Sequence, residues 1–153
     1  MCWQSQELKE KRSNGKVKVF KICYFKKDQI KAYFFYDFSY KLNEIYQTNV
    51  RINKKYDEFY DYFVYIGTQG FHSYSADYCN VTKNIWTFVV KPNTNGDRVE
   101  SYPVPRNETL VVVEGYIPKD GVYYENEKGE IISDKIILTE IIDILNFPKE
   151  LYL

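Results

Sequence analysis

Residues 16–25, KVKVFKICYF, decide the fold class of this chain. Side chains in this stretch alternate between two faces, as they do in a β-strand. One face carries Val17, Val19, Lys21 and Cys23, and the other carries Phe20, Ile22 and Tyr24. A polar break at residues 26–29 then separates this run from a second apolar run at residues 30–36. The pattern predicts a β-hairpin.

The remaining patterns extend this prediction along the chain. Residues 40–52 indicate a turn followed by short strands, and residues 62–66, 85–90 and 109–116 are apolar runs of strand length. Residues 54–62 fit either a strand or a helical turn. Residues 91–108 contain three prolines and form the longest irregular stretch, a length at which loops are often functional.

Helices are predicted at two places. Ser75 could cap a short helix that runs to Cys79. In residues 136–145, β-branching favours a strand at the start, and apolar spacing at positions 138, 141, 142 and 145 favours a helix at the end. We therefore predict an α+β fold that is mainly β, with an antiparallel or mixed twisted sheet and one or two short helices. Residues 1–15 are expected to be a polar lead-in and residues 16–153 a single domain.

Composition limits the functional classes. The 153 residues include 16 tyrosines, whose rings carry apolar volume but need polar partners, so half-buried faces and pockets rimmed by hydroxyls are expected. No apolar run is long enough to span a membrane, and the N-terminus lacks a signal-peptide pattern. These features predict a cytoplasmic protein without a membrane partner. Cys2, Cys23 and Cys79 show no metal-ligand spacing, so no metal site is predicted.

Charge is balanced overall but unevenly distributed. Residues 1–31 carry nine Lys or Arg against three Asp or Glu, whereas residues 114–150 carry four against nine. The two ends could attract each other as neighbouring strands, or the basic end could form a patch for phosphates. A net charge of zero argues against general binding to nucleic acids.

Two groups of residues are candidates for a ligand site. The single histidine, His72, lies between Phe71 and Tyr74, whose rings could wall a pocket. A second aromatic group lies beside basic residues, which could meet a phosphate while the rings stack on a base or sugar. The ligand-binding candidates are Phe71, His72, Tyr74, Arg51, Lys54, Tyr56 and Tyr60. Both groups could instead be ordinary structural parts of a sheet.

Catalytic motifs are absent from the sequence. It contains no G-x-S-x-G, Walker A, G-x-G-x-x-G or H-E-x-x-H pattern, and it offers one histidine as the base of a nucleophilic triad. No cofactor is predicted. An enzymatic role is therefore left open, with a binding role preferred.

Several short motifs resemble a diffuse family of small uncharacterised proteins from bacteriophages and gut bacteria. They are GFHSY at residues 70–74, EGYIPK at 114–119, VYY at 122–124 and GEIISDKI at 129–136. Together with a helical segment after the first motif, they cover about half of the chain. Asp120 stands where the family has a glycine after Pro-Lys. The resemblance implies a phage or mobile-element origin and a host cytoplasmic location.

The second half of the chain also resembles ADP-ribosyltransferases. In those enzymes a glutamate on a late strand orients the nicotinamide ribose, and Glu130 is the nearest counterpart here, with His72 as the earlier polar partner. The arginine or histidine of their first strand and their Ser-Thr-Ser segment have no clear counterpart. If the protein is an enzyme, the resemblance makes His72 and Glu130 its catalytic candidates.

Three functions follow from these observations. The first is a small non-enzymatic binding module for a nucleotide-like ligand or a host protein, with a counter-defence role. The second is an ADP-ribosyltransferase-like enzyme that uses NAD. The third is a structural or assembly protein whose tyrosine-rich faces form a homo-oligomer.

Overall fold

The computed structural model describes residues 2–5, 7–32, 38–57, 62–75, 91–92, 99–100 and 109–145. These residues form fifteen β-strands and no helix. The strands are β1 (Cys2–Gln4), β2 (Lys11–Arg12), β3 (Val17–Lys26), β4 (Gln29–Ala32), β5 (Ser39–Tyr40), β6 (Ile45–Gln47), β7 (Arg51–Asp57), β8 (Tyr62–Gln69), β9 (Phe71–Ser75), β10 (Lys91–Pro92), β11 (Val99–Glu100), β12 (Thr109–Ile117), β13 (Val122–Glu125), β14 (Glu130–Ser133) and β15 (Lys135–Leu145). The mainly β prediction is confirmed.

Ten strands form one sheet, in which every pairing is antiparallel. Its order is β2-β13-β14-β9-β3-β12-β15-β6, and the hairpin partner β4 joins β3 and carries β5. The basic strand β3 lies beside β12, and β2 lies beside β13. The two oppositely charged ends of the chain are thus neighbouring strands, as one of the two interpretations of the charge pattern predicted.

Strand β3 is the branch point of this sheet. Along one edge it pairs with β12 from Val17 to Phe25. Along the other edge it pairs first with β9, at Val19 and Phe20, and then with β4, from Cys23 onward. The edge of β3 therefore passes from one partner to another around residues 21 and 22. We call this place the fork.

The predicted hairpin is formed by β3 and β4. Its two turn residues, Lys27 and Asp28, both have positive φ angles, of 50° and 60°. This is the backbone of a type I′ turn, whose twist matches that of the strands it joins. The Asn-Gly sequence that favours this turn is absent. The pairing of β3 with β4 therefore stabilises the turn conformation.

The main core lies on one face of the sheet, which we call the inner face. Alternation along β3 and β12 directs Val19, Cys23, Val111 and Val113 to this face, where all four are buried. Ile117 of β12 and residues of five further strands complete the cluster: Ile30, Ala32, Tyr40, Phe71, Ile131, Ile136 and Leu138. Burial of this apolar surface is the main stabilising contribution to the fold.

A smaller sheet covers part of the opposite, outer face. Its order is β1-β8-β7, and Trp3 of β1, 1% exposed, packs with Ile132 of the main sheet. The Trp3 indole Nε1 donates to the backbone oxygen of Glu130 over 3.0 Å. The chain passes from β8 to β9 through Gly70, where φ is +153° and a Cβ would lie 2.7 Å from Cγ1 of Ile132. Only glycine fits this corner without displacing its neighbours.

Residues 2–5 and 7–15, part of the segment predicted to be a polar lead-in, contact the rest of the fold. Besides the buried Trp3, the turn at Ser13 is tied to the turn after β12: Ser13 Oγ donates to the Ile117 oxygen over 2.7 Å, and Ser13 N donates to the Gly121 oxygen. Asp120 has a φ of 67°, the left-handed conformation that glycine usually supplies at such a turn. The polar sequence of this segment gave no sign of its contacts with the rest of the fold, because several of these contacts are hydrogen bonds.

Residues 135–145 form one strand, so the helix favoured for the end of this segment is wrong. The pairing with β12 contains two irregularities, which leave Thr139 and Ile142 without a direct partner. Each extra residue shifts the alternation by one position. The inner-face residues of β15 are thereby Leu138, Ile141 and Ile144, opposite Gly115, Val113 and Val111. A strand with two bulges thus produced a three-residue spacing typical of a helix.

Other expectations have mixed outcomes. Strands β7 and β8 contain residues 54–57 and 62, so the ambiguous segment is extended wherever it is described. Ser75 ends β9, and the helix predicted from it to Cys79 lies outside the described residues, as does the run at residues 85–90. Within residues 91–108, the two short strands β10 and β11 pair with each other.

Candidate functional site

A lysine is buried on the inner face at the fork. Lys21 occupies an inner-face position between Val19 and Cys23, in register with Val113 of β12, and its side chain is only 9% exposed. Its Nζ donates a hydrogen bond of 2.6 Å to the backbone oxygen of His72. It also lies 5.7 Å from the centre of the Tyr40 ring. The pairing of β3 with β9 ends at Phe20 and Tyr74, next to this lysine.

A serine hydroxyl lies on the same face as this lysine. The β3–β9 register pairs Val19 with Ser75 and Phe20 with Tyr74, and Ser73 is the next residue of β9 on the face that Lys21 shares. Ser73 is 3% exposed, and within the described part of the chain its Oγ has no hydrogen-bond partner. Buried hydroxyls without a partner are rare because desolvation is costly. The hydroxyl is available to a bound group.

Four aromatic rings pack beside the lysine. The centroids of Tyr40 and Phe38 lie 4.8 Å apart, and Tyr46 lies 5.1 Å from Tyr40 and 5.5 Å from Phe38. Phe71 completes the group at 6.3 Å from Tyr40. Tyr40 and Phe71 are buried, whereas Phe38 is 39% exposed and Tyr46 is half-buried. This ring cluster extends from the buried ammonium toward the surface.

The electrostatic environment of Lys21 opposes its charge. Burial lowers the pKa of the Lys21 ammonium, and the neighbouring Cys23 counteracts this only in part. Among the described residues no carboxylate forms a salt bridge with Lys21; the ion pair present there joins Lys18 to Glu114. Burial also raises the pKa of the Cys23 thiol to about 12, so that thiol is protonated at neutral pH. The fork therefore combines a cation, a hydroxyl and aromatic faces without an opposing charge.

The catalytic candidates His72 and Glu130 lie on the outer face. They are on neighbouring strands, where His72 is opposite Ile132 and Glu130 is opposite Tyr74, so all four residues share that face. One Glu130 oxygen, Oε1, accepts from Nδ2 of Asn126 over 3.3 Å. Burial and the Lys21 charge lower the pKa of His72 to about 3, so its imidazole is neutral at physiological pH.

The ligand-binding candidates fall into separate places. Phe71 points to the inner face and joins the ring cluster, whereas His72 and Tyr74 point to the outer face. Arg51 is exposed at the start of β7, and Lys54 and Tyr56 lie further along the same strand. Tyr60 lies outside the described residues. Of the predicted residues, Phe71 thus adjoins the fork, and His72 contributes its backbone oxygen there.

Sequence reasoning missed Lys21, Ser73, Tyr40, Phe38 and Tyr46 as site residues. One signal for Lys21 was present, because the alternation placed this charged residue on the same face as Val17, Val19 and Cys23. A lysine in an otherwise apolar strand face is uncommon, since lysines are rarely buried. Tyr40 lies on β5, Phe38 comes just before it and Tyr46 lies on β6, and no local pattern connects these rings to Lys21.

A group of exposed apolar residues lies near the ends of β6 and β15. Ile45, Ile142 and Ile144 are exposed, and the edge of β15 that meets β6 has described strand partners only at residues 135–137. The predicted assembly role stays a prediction.

Three further observations concern ligands and relatives. In the described segments, no group of three His, Cys, Asp or Glu side chains is placed to hold a metal ion. The same segments contain no helix of the length and apolarity needed to span a membrane. No protein-family model matches the chain, and no curated protein or solved structure is significantly similar to it.

Proposed function

We propose that this protein is a small-molecule binding module that holds an anionic ligand with an aromatic body, of the size and kind of a nucleotide, at the fork. The observation that carries this proposal is the buried Lys21 ammonium, which has one hydrogen bond to a carbonyl and no carboxylate partner among the described residues. The unpartnered Ser73 hydroxyl lies on the same face.

A buried ammonium without an opposing charge lowers the stability of the fold. Removing an ammonium from water costs several kcal/mol, and a carbonyl and an aromatic face offset only part of this cost. A phosphate or carboxylate of a ligand would supply the missing negative charge in a site shielded from water. The free energy gained by pairing would then appear as affinity for the anion.

The ring cluster supports an aromatic body on the ligand. Phe38 and Tyr46 are the accessible members, and the Tyr40 ring connects them to the ammonium. Stacking of a base on an aromatic side chain contributes about 1–3 kcal/mol. A ligand whose anionic group and ring are separated by a few bonds would contact both features together.

Titration calorimetry with AMP, cyclic AMP, ADP-ribose and uncharged adenosine tests this function. We expect at least one of the three anions to bind, adenosine to bind more weakly, and Lys21→Met to abolish the difference. Lys18→Met is the matched control, since it removes a lysine of the same strand from the outer face. Absence of binding by all three anions, or unchanged binding in Lys21→Met, would contradict the proposal.

A second candidate is the NAD-using enzyme. It is supported by His72 and Glu130 lying on one face of adjacent strands, close enough to approach a common ligand. Nicotinamide release from NAD, measured for the wild type, His72→Ala and Glu130→Gln, tests it. Release that is lost in both variants supports the enzyme, and no release by the wild type rules it out.

The origin and the partner follow from the sequence resemblance alone. We also propose that the protein has a phage or mobile-element source and that its ligand could be a host protein. A competition experiment tests whether a host protein binds at the fork. If it does, the anion identified by calorimetry displaces it.

A further inference from the structure

We propose that Lys21 Nζ forms a covalent imine with the carbonyl carbon of a small aromatic 2-oxo acid held at the fork. This inference rests on the proposed function, because it requires the same site to accept an aromatic anion. It adds a covalent step and a narrower class of ligand. The observations that carry it are the buried amine of Lys21, the unpartnered hydroxyl of Ser73 and the adjoining ring cluster.

The reactivity of the Lys21 amine depends on whether its nitrogen is charged. A lysine reacts with a carbonyl only when its nitrogen is uncharged, and burial in an apolar setting is one way in which proteins produce such a nitrogen. Val19, Cys23 and Val113 are the neighbours of Lys21 on the inner face of β3 and β12, and all three are buried. Burial lowers the pKa of Lys21, so the uncharged fraction at neutral pH exceeds that of a surface lysine.

The chemistry is balanced without any additional reactant. The Nζ lone pair attacks the carbonyl carbon, the carbonyl electron pair moves to oxygen, and a proton passes from the nitrogen to that oxygen to give a carbinolamine. Loss of that hydroxyl as water, with a proton, leaves a C=N bond. The hydroxyl of Ser73, on the same face as Lys21, is the donor placed to hydrogen-bond the oxygen while it carries negative charge.

The acid group and the ring define the class of ligand. A protonated imine keeps the positive charge on nitrogen, so a carboxylate on the adjacent carbon stays paired with it after the reaction. In a 2-oxo acid the carboxylate occupies that position. An aryl group on the other side of the carbonyl would extend toward Tyr40, Phe38 and Tyr46. Phenylpyruvate combines these three features and is the appropriate probe.

Reductive trapping tests the proposal. Wild-type protein is incubated with phenylpyruvate and cyanoborohydride, which reduces an imine to a stable secondary amine, and the modified lysines are located by peptide mass mapping. Exposed lysines such as Lys41 and Lys119 are internal controls for non-specific labelling. Phenyllactate, in which a hydroxyl replaces the carbonyl, is the matched ligand that can bind but cannot form the imine.

We expect Lys21 to be modified at least tenfold faster than any exposed lysine, and phenyllactate to suppress this labelling. Raising the pH toward 9 should favour labelling of Lys21 less than labelling of the exposed lysines, because the Lys21 nitrogen is already more often uncharged at neutral pH. At saturating phenylpyruvate, Ser73→Ala should still slow the trapping several-fold. Lys21→Arg, which keeps the charge, should still bind phenyllactate and yield no adduct at position 21.

The outcomes separate this inference from the proposed function. Phenyllactate binding that depends on the charge at position 21, together with no adduct on Lys21 of the wild type, overturns the imine and keeps the anion site. Labelling of Lys21 no faster than of Lys41 also overturns it. If AMP, cyclic AMP and ADP-ribose all fail to bind, the proposed function fails, and the imine, which rests on it, fails with it.

Discussion

Lys18 and Lys21 lie three residues apart on the same strand, yet their environments are opposite. Lys18 points to the outer face, has a side chain that is 42% exposed and forms a 2.5 Å ion pair with Glu114. Lys21 points into the core, is 9% exposed and contacts a carbonyl oxygen and an aromatic ring. The hydrogen bond with Glu114 raises the pKa of Lys18, whereas burial lowers the pKa of Lys21.

The comparison shows that the face of the strand determines what a lysine can do. An exposed ion pair contributes little to stability and is exchangeable. A buried ammonium is kept at a cost in stability, and such costs are concentrated at functional sites. Four predictions test whether the two lysines differ in this way.

The largest effect is expected from charge reversal. Lys21→Glu would bury a carboxylate beside the His72 carbonyl oxygen and should lower the free energy of unfolding by about 3–5 kcal/mol. Lys18→Glu would place two carboxylates on an exposed face, with a much smaller effect. Urea denaturation of both variants measures the contrast. Similar losses of unfolding free energy in Lys21→Glu and Lys18→Glu would contradict the burial of position 21.

Acid sensitivity is expected next. Because the pKa of His72 is lowered to about 3, the unfolded chain binds a proton between pH 6.5 and pH 3 that the folded chain does not. Stability should therefore fall as the pH drops through this window, by roughly 3–5 kcal/mol at its lower end. The protein has one histidine, so its imidazole proton signal is unambiguous.

The pKa of His72, measured from its imidazole proton signal, also distinguishes the environments of Lys21 and Lys18. Lys21→Met should raise the pKa of His72 because it removes a nearby positive charge, whereas Lys18→Met should leave it unchanged. An equal response to both variants would contradict the assigned geometry.

Neutral substitution should have a smaller effect, with opposite pH dependence for the two lysines. Lys21→Met should leave stability at pH 7 unchanged or raise it by about 1–2 kcal/mol, since an apolar side chain replaces a buried charge. Wild-type protein gains stability as the pH rises toward 10.5, where the unfolded lysine still binds the proton that the folded one has lost. The advantage of methionine should therefore shrink with rising pH.

For Lys18 the sign is reversed. Its raised pKa means that the ion pair stabilises the fold below pH 10.5 and that this contribution is lost as the pH rises above that value. Denaturation at several pH values separates the two cases. Parallel pH profiles for Lys21→Met and Lys18→Met would refute the distinction.

The smallest effect is expected at the hydroxyl. Ser73→Ala removes a buried oxygen that has no partner among the described residues, so stability should change by less than about 1 kcal/mol. Ligand affinity should fall several-fold if the hydroxyl contacts the anion. Ser13→Ala is the matched control, because Ser13 Oγ donates to the Ile117 oxygen and its loss should destabilise the fold without altering binding.

Alternation along residues 16–25 was enough to predict the central strand, its hairpin and the face to which Lys21 belongs. The chain ends could also be predicted to meet, because their charges are opposite. Period-based reasoning failed at β15, where the extra residues Thr139 and Ile142 turned a two-residue period into a three-residue spacing. A bulge depends on the partner strand and leaves no local signal.

The candidate site was less accessible to prediction. Lys21, Ser73 and Tyr40 come from three strands that meet only because the edge of β3 changes partner at the fork. The proximity of these three residues is therefore determined by pairing between segments that are distant in the sequence. The predicted pair His72 and Phe71, being adjacent in a strand, necessarily point to opposite faces.

Carbon-13 NMR titration of the lysine side chains, with Lys21→Met and Lys18→Met used to assign the signals, tests the central claim most directly. We predict that the Lys21 signal titrates well below pH 10.5 in the free protein and moves to higher pH when AMP is added, while the Lys18 signal titrates above 10.5 and does not respond to AMP. A Lys21 signal that titrates at 10.5 or above, or that is unaffected by AMP, would contradict an unpaired buried cation that accepts the anion of a ligand.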